Sequence, residues 1–417
     1  MRDQETRLDF AIPEDVQMIG EGLIGFVEQE VLPLERANAE LLSNHRLTYE
    51  ESGRYTPRLL ELRRQVRMKS AEAGFYTMLG DEALGGAGLG AVAGVYLQGL
   101  LARTYGPARH LIYHVVVPSP FTNGLSPVLT FADEALKARV LPALASGEKT
   151  LCFALSEPDA GSDVQGMRTQ AVRDGDFWVL NGAKQWITNS PYADYAVVFA
   201  AANARASDRR EKAITAFLVE TSTPGFEVTA VIPLMGEPGG DTGTISISDL
   251  RVPDASRLGE VGEGLAVAMR GINNGRLGMA ATCVGYAEWA LAMAADYAKT
   301  RKTFGRPIAD HQAIQFHLAE AAMDVFAAKN MLWNCAWRVD SERPARGEIA
   351  MVKCFATEML FRVMDRCIQI HGAMGLTNEL RLEAGFRYAR IMRIPDGTAE
   401  IQRRTIAAEL LGGGLTI

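Results

Sequence analysis

The spacing of hydrophobic and polar positions changes character twice along the chain. Up to about residue 150, the stretches Glu14–Gln29, Pro57–Ala73, Ala91–Tyr105 and Asp133–Ala145 combine helix formers with apolar residues three and four apart. That period predicts amphipathic helices, separated by glycine-rich breaks. From 151 to about 254 the pattern shortens to apolar runs such as Trp178-Val179-Leu180, Tyr195-Ala196-Val197-Val198-Phe199 and Ala216-Phe217-Leu218-Val219. Turn residues at Asp174-Gly175-Asp176 and Asn181-Gly182 punctuate them, which predicts antiparallel strands and hairpins. From 255 onward long helices return. Ile314, Leu318, Ala321, Val325, Ala328 and Leu332 alternate spacings of four and three, the buried stripe of a helix bundle. The expected organisation is a helical domain over 1–150, a middle β domain over 151–254 and a helical-bundle domain over 255–417. The fold class is therefore mainly α with a central antiparallel β domain. The charge-rich stretch Arg205–Lys212 lies between strand candidates and predicts a solvated loop.

Composition narrows the function classes. With 417 residues, 48% hydrophobic and 22% charged, the chain is long enough for a large core and ordinary for a globular protein. A formal net charge of −7 argues against broad nucleic-acid binding. The five cysteines are odd in number and form no Cys-x-x-Cys, which suits a reducing compartment and no structural metal. The apolar stretch near Leu89–Ala102 contains Gln98 and is too short to span a bilayer. Met1-Arg2-Asp3-Gln4-Glu5 carries no export leader. A cytoplasmic enzyme with no membrane partner is expected.

Four strings remain as candidate chemistry. Gly86-Ala87-Gly88-Leu89-Gly90 invites a dinucleotide reading, but the residues before it, Gly80-Asp81-Glu82-Ala83-Leu84, do not form a strand pattern, so a plain loop is expected. Leu151–Asp163 begins as a strand and ends in a Gly-Ser turn, whose N–H groups suit phosphate or ring oxygens. Arg301-Lys302-Thr303-Phe304-Gly305 reads as a basic cluster ending a helix; the dipole explains its charge, and Arg301 is also suited to a pyrophosphate. Asp396, between Pro395 and Gly397, lies on a tight turn before a helix. It is either a carboxylate held rigidly against a ligand or a helix cap.

Leu155–Asp163, Arg301–Pro307 and Arg393–Arg403 together resemble the signatures of the acyl-CoA dehydrogenase family, and the resemblance spans nearly the whole chain. It implies a helical domain, a β-barrel or sandwich domain and a C-terminal four-helix bundle. It implies FAD, removal of the α-proton and β-hydride of an acyl-CoA to give the trans-2-enoyl-CoA, electrons passed to an electron-transfer flavoprotein, and a homodimer or homotetramer in fatty acid metabolism. The flavin contacts implied are Phe153, Leu155, Ser156, Gly161 and Ser162, then Trp186, Ile187 and Thr188 against the ring. Arg301, Thr303, Phe304, His311 and Gln312, with Gln369, Ile370, His371, Gly372 and Ala373, would approach the FAD of a neighbouring subunit. Thr398 and Glu400 complete the cofactor set. Ser162, Asn273, Arg276 and Gly397 would touch the CoA thioester. His371 is read as structural.

Most members place a glutamate where this chain has Asp396, and one branch carries its base at the position of Gly275, where glycine cannot serve. Asp396 is thus the one motif-matched base. It is shorter than glutamate by about 1.5 Å, one C–C bond, and its ordinary pKa of about 3.9 makes it a weak base unless burial raises it. Ala373 also departs from the glycine common in relatives. The rival readings are a flavin oxidase or monooxygenase of the same fold, marked by oxygen consumption, and a flavin-containing binding protein without turnover.

Overall fold

The computed structural model describes residues 12–202 and 213–415; the predicted loop Arg205–Lys212 lies outside them. Its backbone contacts divide into two compact units: one of Met1–Gly25, Leu89–Arg109 and Arg276–Ile417, the other of Phe26–Gly88 and His110–Gly275.

The second unit holds the sheet. Its strands are β1 (Leu151–Ala154), β2 (Gln170–Asp174), β3 (Phe177–Thr188), β4 (Tyr195–Ala201), β5 (Ile214–Glu220), β6 (Phe226–Val231), β7 (Thr242–Pro253) and β8 (Arg257–Leu258). They lie in the order β6-β7-β3-β2-β4-β5-β8, with β1 beside β4. Most pairs are antiparallel as expected, but β1–β4 and β2–β4 run parallel, so the sheet is mixed. Strand β4 is buried at every position. Its alternation explains why: Tyr195, Val197 and Phe199 enter one apolar cluster with Leu136, Val140 and Leu144, while Ala196, Val198 and Ala200 enter another with Trp178, Leu180 and Phe217. Successive side chains of a strand point to opposite faces, and both faces here are covered.

Gly175-Asp176 forms the two-residue link between β2 and β3, with Gly175 at φ +60°. Asn181-Gly182, expected as a turn, instead lies inside β3 at a register shift. A Cβ at 182 would stand 2.5 Å from Thr169 Oγ1, so the glycine serves close approach of two backbones. Asn181 exchanges hydrogen bonds with Asp249 across the sheet, which absorbs the irregularity.

The longer helices follow the predicted positions. They are α1 (Glu14–Phe26), α2 (Pro57–Glu72), α3 (Gly90–Tyr105), α4 (Glu134–Ala145), α5 (Gly264–Thr300), α6 (Gln312–Asp340), α7 (Arg346–His371), α8 (Leu382–Met392) and α9 (Ala399–Leu411). A π-helical turn, Val27–Val31, follows α1 where a continuous helix to Gln29 was expected. In the first unit α7 packs against α6, α8 and α9. The predicted stripe on α6 is seated: Ala321, Val325, Ala328 and Leu332 are buried. Asp324 of α6 receives a two-pronged bond from Arg362 and another from Arg366, tying α6 to α7. By length and composition α5 is apolar enough to cross a membrane, but more than half of its most apolar window is buried within the protein, as in a core helix.

Gly86–Leu89 is loop leading into α3, which Gly90 opens. The first N–H groups of α3, at Ala91 and Val92, donate to the Asp340 carboxylate at 2.6 and 2.8 Å. A helix N-terminus already neutralised by a carboxylate does not offer itself to a pyrophosphate.

Candidate active site

The turn before α9 carries the central carboxylate. Asp396 and Gly397 both adopt left-handed backbone, at φ +56° and +88°. A non-glycine residue in that region is strained and persists only where its surroundings fix it. Here three side chains do so. Arg276 Nε donates to the Asp396 carbonyl at 2.9 Å, and Lys353 Nζ donates to the Gly397 carbonyl at 2.8 Å. Gln402 Nε2 bridges both carbonyls, at 3.0 and 2.9 Å.

The helix-cap reading of Asp396 fails. Thr398 is the residue preceding α9, and its hydroxyl accepts from the Ile401 N–H at 3.3 Å. The Asp396 carboxyl is therefore free of that duty. Burial raises its pKa from 3.8 to about 6, against the opposing pull of Lys353 and Arg276. Burial also lowers Lys353, to about 8, with the Asp396 charge opposing. A carboxyl poised near 6 is basic enough to take a proton from a weak carbon acid and still ionised at neutral pH. Gly275, the other position considered for a base, is buried and has no side chain to offer.

In the second unit, the two segments expected at a flavin are brought together. The Gln185 N–H donates to the Ser156 carbonyl at 3.0 Å. Lys184 Nζ, fully buried, reaches the Leu155 carbonyl at 3.2 Å and Glu157 Oε1 at 2.7 Å. Glu157 also accepts from the N–H groups of Arg168 and Thr169. Burial works against its ionisation, but Lys184 and these donors hold it below the usual carboxylate range. This internal ion pair fastens the strand-to-turn segment to β3.

A register shift between Lys184 and Ile187 then turns Trp186 outward, at φ +65° and 55% exposed, while Lys184 and Ile187 stay inside. A bulge that re-aims one side chain is a common device beside functional sites. Thr188, Gly161 and Ser162 are also exposed, and a side chain at Gly161 would meet nothing within 4 Å. An outward indole two residues before an exposed threonine, on a strand bonded to the Ser156 segment, suits a flat aromatic ring with a polar edge. Phe153 and Ser156 are half-buried, whereas Leu155 is packed in the core. Asn273 is half-buried on α5.

In the first unit, Lys302–Thr303 and Arg306–Pro307 pair as a short hairpin. Its two linking residues, Phe304 and Gly305, have φ of +51° and +82°, the conformation of tight hairpin links. Phe304 is 96% exposed, an unusual position for phenylalanine, and Arg301 is exposed beside it in sequence. His311 lies 3.3 Å from Thr303 Oγ1 and 3.2 Å from Arg306 Nη2 through its two ring nitrogens, and Gln312 opens α6. At the end of α7, Gln369, Gly372 and Ala373 are exposed, while Ile370 is core. His371 stacks on Tyr297 with ring centres 4.5 Å apart, and its Nδ1 bonds the Cys367 carbonyl at 2.7 Å, a structural placement. Thr398, Arg390, Arg393 and Glu400 line a pocket in front of α9.

Sequence reasoning missed Lys353, Gln402 and the Lys184–Glu157 pair. A signal was present for the first. Ala350, Lys353, Thr357 and Leu360 lie on one buried stripe of α7, so a lysine occupies a core position.

Profiles of all three acyl-CoA dehydrogenase domains match: the N-terminal domain over residues 13–148, the middle domain over 152–250 and the C-terminal domain over 262–411. Human mitochondrial short-chain specific acyl-CoA dehydrogenase is 37% identical over 402 residues, which cover 96% of this chain and 91% of that protein. Subunit CarC of the caffeyl-CoA reductase–Etf complex of Acetobacterium woodii is 36% identical over 362 residues, covering 87% of this chain and 92% of that one. The solved structure of butyryl-CoA dehydrogenase from Megasphaera elsdenii, 29% identical, superposes with a TM-score of 0.78 over 97% of this chain and 100% of its own.

Proposed function

The chain belongs to the acyl-CoA dehydrogenase family, and from that premise we propose that it oxidises the Cα–Cβ bond of an acyl-CoA thioester to the trans-2-enoyl-CoA with Asp396 as base. The observation that carries this reading is the Asp396 carboxyl: released from capping, raised to about 6 and mounted on a clamped left-handed turn. Family members work with FAD, which supplies the hydride acceptor.

Toward that cofactor the chain offers Trp186 and Thr188 at the ring, with Phe153, Ser156, Gly161 and Ser162 beside them. Arg301, Thr303, Phe304, His311, Gln312, Gln369, Gly372 and Ala373 would serve a neighbouring subunit's cofactor, and Thr398 and Glu400 complete the set. Leu155, Ile187 and Ile370 contribute backbone only, since their side chains are core. Asn273, Arg276, Ser162 and Gly397 would approach the thioester. Asp396 takes the α-proton, and its own N–H donates to the thioester carbonyl as negative charge develops there.

Homo-oligomerisation is supported by the outer face of α6, where Phe316, Met323 and Phe326 are 56%, 64% and 72% exposed. The name of the Acetobacterium relative supports an electron-transfer flavoprotein as acceptor. The domain limits 1–150, 151–254 and 255–417 are supported by the three matched segments.

The test is anaerobic mixing of the FAD-loaded protein with a panel of saturated acyl-CoAs. Bleaching of the flavin with a matching enoyl-CoA in the mass spectrum is expected. No bleaching by any acyl-CoA, or rapid reoxidation of the reduced protein by oxygen, would overturn the dehydrogenase assignment.

A further inference from the structure

Lys353 stands out among the groups that the reaction does not obviously require. It is fully buried within α7, on a stripe otherwise made of Ala350, Thr357 and Leu360. An isolated ammonium in such a place is costly unless it is bonded and faces an opposite charge. Its bond is to a backbone carbonyl, Gly397, one residue after the base. The opposite charge it faces is Asp396 itself.

The neighbouring side chains sort the roles. Arg276 of α5 holds the Asp396 carbonyl, and its charge also acts on that carboxyl. Gln402 of α9 is neutral and bridges both carbonyls. Arg346 acts on Arg276, and Cys283 and Cys354 border Lys353; the thiols are buried and their pKa is raised, so they stay neutral. Gln402 can hold the Gly397 carbonyl without Lys353. What Lys353 adds that Gln402 cannot is a fixed positive charge on the helix side of the turn.

We propose, on the reading of Asp396 as base, that Lys353 is a positioning residue: its ammonium anchors the Gly397 carbonyl, locks the left-handed turn and keeps the Asp396 carboxyl ionised for proton abstraction. Without that cation, burial acts on the carboxyl with only Arg276 to oppose it. The carboxyl then holds its proton to higher pH, and a protonated base cannot react. An opposite charge near a carboxyl typically moves it by about 1–3 pH units, and the lower end applies here because Lys353 bonds the Gly397 carbonyl rather than the carboxylate.

The experiment uses the FAD-loaded protein, wild type, Lys353→Met, Lys353→Arg and Asp396→Asn. The Asp396 carboxyl band is identified in the infrared as the one missing from Asp396→Asn, and is titrated in the others. In Lys353→Met its midpoint should rise by about one pH unit or more, and Lys353→Arg should restore it. In parallel, the acid limb of flavin bleaching by butyryl-CoA should move upward by the same amount in Lys353→Met. At pH 6.5 a one-unit rise from about 6 would then lower the rate constant about threefold, with KM changed less than twofold, and the rate should recover at pH 9. An unmoved carboxyl midpoint in Lys353→Met overturns the proposal and leaves Lys353 a structural tie. Should Lys353→Met be insoluble, Lys353→Gln, also neutral, is read in its place by the same criterion. If the wild type is not bleached by acyl-CoA, the dehydrogenase reading fails, while the infrared titration still decides the role of Lys353.

Discussion

Replacing Asp396 with asparagine should stabilise the protein at alkaline pH while removing its base. Burial raises the Asp396 carboxyl from 3.8 to about 6 in the folded chain. At about 1.36 kcal/mol per pH unit, that rise is worth about 3 kcal/mol between the two protonation states. The sign follows from linkage. A group whose folded pKa exceeds its unfolded one stabilises fully below the unfolded value, and that contribution disappears as pH rises through the folded one. Wild type should therefore lose about 2.5 kcal/mol relative to Asp396→Asn between pH 4 and pH 8, because asparagine imitates the neutral acid at every pH. Unfolding entropies of about 2.1 cal/mol/K per residue, taken over a chain of 417 residues, convert this into about 3 °C. Thermal melts of the two FAD-loaded proteins, recorded side by side from pH 4.5 to 8.5, isolate the difference from every other titrating group. The variant should melt higher at pH 8, with the gap closing toward pH 4.5. Equal melting temperatures at pH 8, or a less stable variant there, would mean that the carboxyl is well solvated or fully paired and has no raised pKa.

Three other substitutions bear on the same site. Asp396→Glu should slow flavin bleaching by about 10- to 100-fold, since the clamped carbonyls prevent the backbone from retreating to make room; a faster reaction would show that the pocket is built for glutamate. Gly397→Ala should lower stability by about 1–2 kcal/mol, because its φ is +88° and its Cβ would lie 2.7 Å from Gln402 Nε2; an unchanged melt would contradict that geometry. Arg301→Ala should weaken FAD retention by about 10- to 100-fold, the worth of a hydrogen-bonded charge, and should loosen the oligomer with it. Sedimentation showing an intact, flavin-bearing oligomer after dilution would remove Arg301 from the cofactor site.

The periods of the apolar residues carried the architecture because they report burial directly. The stripe on α6 and the doubly buried β4 follow from spacing alone. Two things were not legible. The parallel pairing of β1 and β2 with β4 depends on long-range topology, which a two-residue period cannot encode. Asn181-Gly182 reads as a turn locally, but the approach of Thr169 makes it a kink within a strand. At the site, Asp396 was recognisable from its motif, yet its freedom to act depended on Thr398 taking the cap. Lys353 escaped notice because a lysine in a helical string is ordinarily read as surface, and only its place on the apolar stripe shows otherwise. The outward turn of Trp186 was likewise invisible, since it rests on a bulge fixed by two inward neighbours, Lys184 and Ile187.

The base assignment is tested most directly by anaerobic stopped-flow bleaching of FAD-loaded wild type and Asp396→Asn with the best acyl-CoA from the panel. The amide is nearly isosteric and cannot accept the α-proton, so the variant should bind FAD normally and bleach at least 10²- to 10⁴-fold more slowly, the usual contribution of a general base. Bleaching within a few-fold of wild type would contradict the assignment of Asp396 as the base.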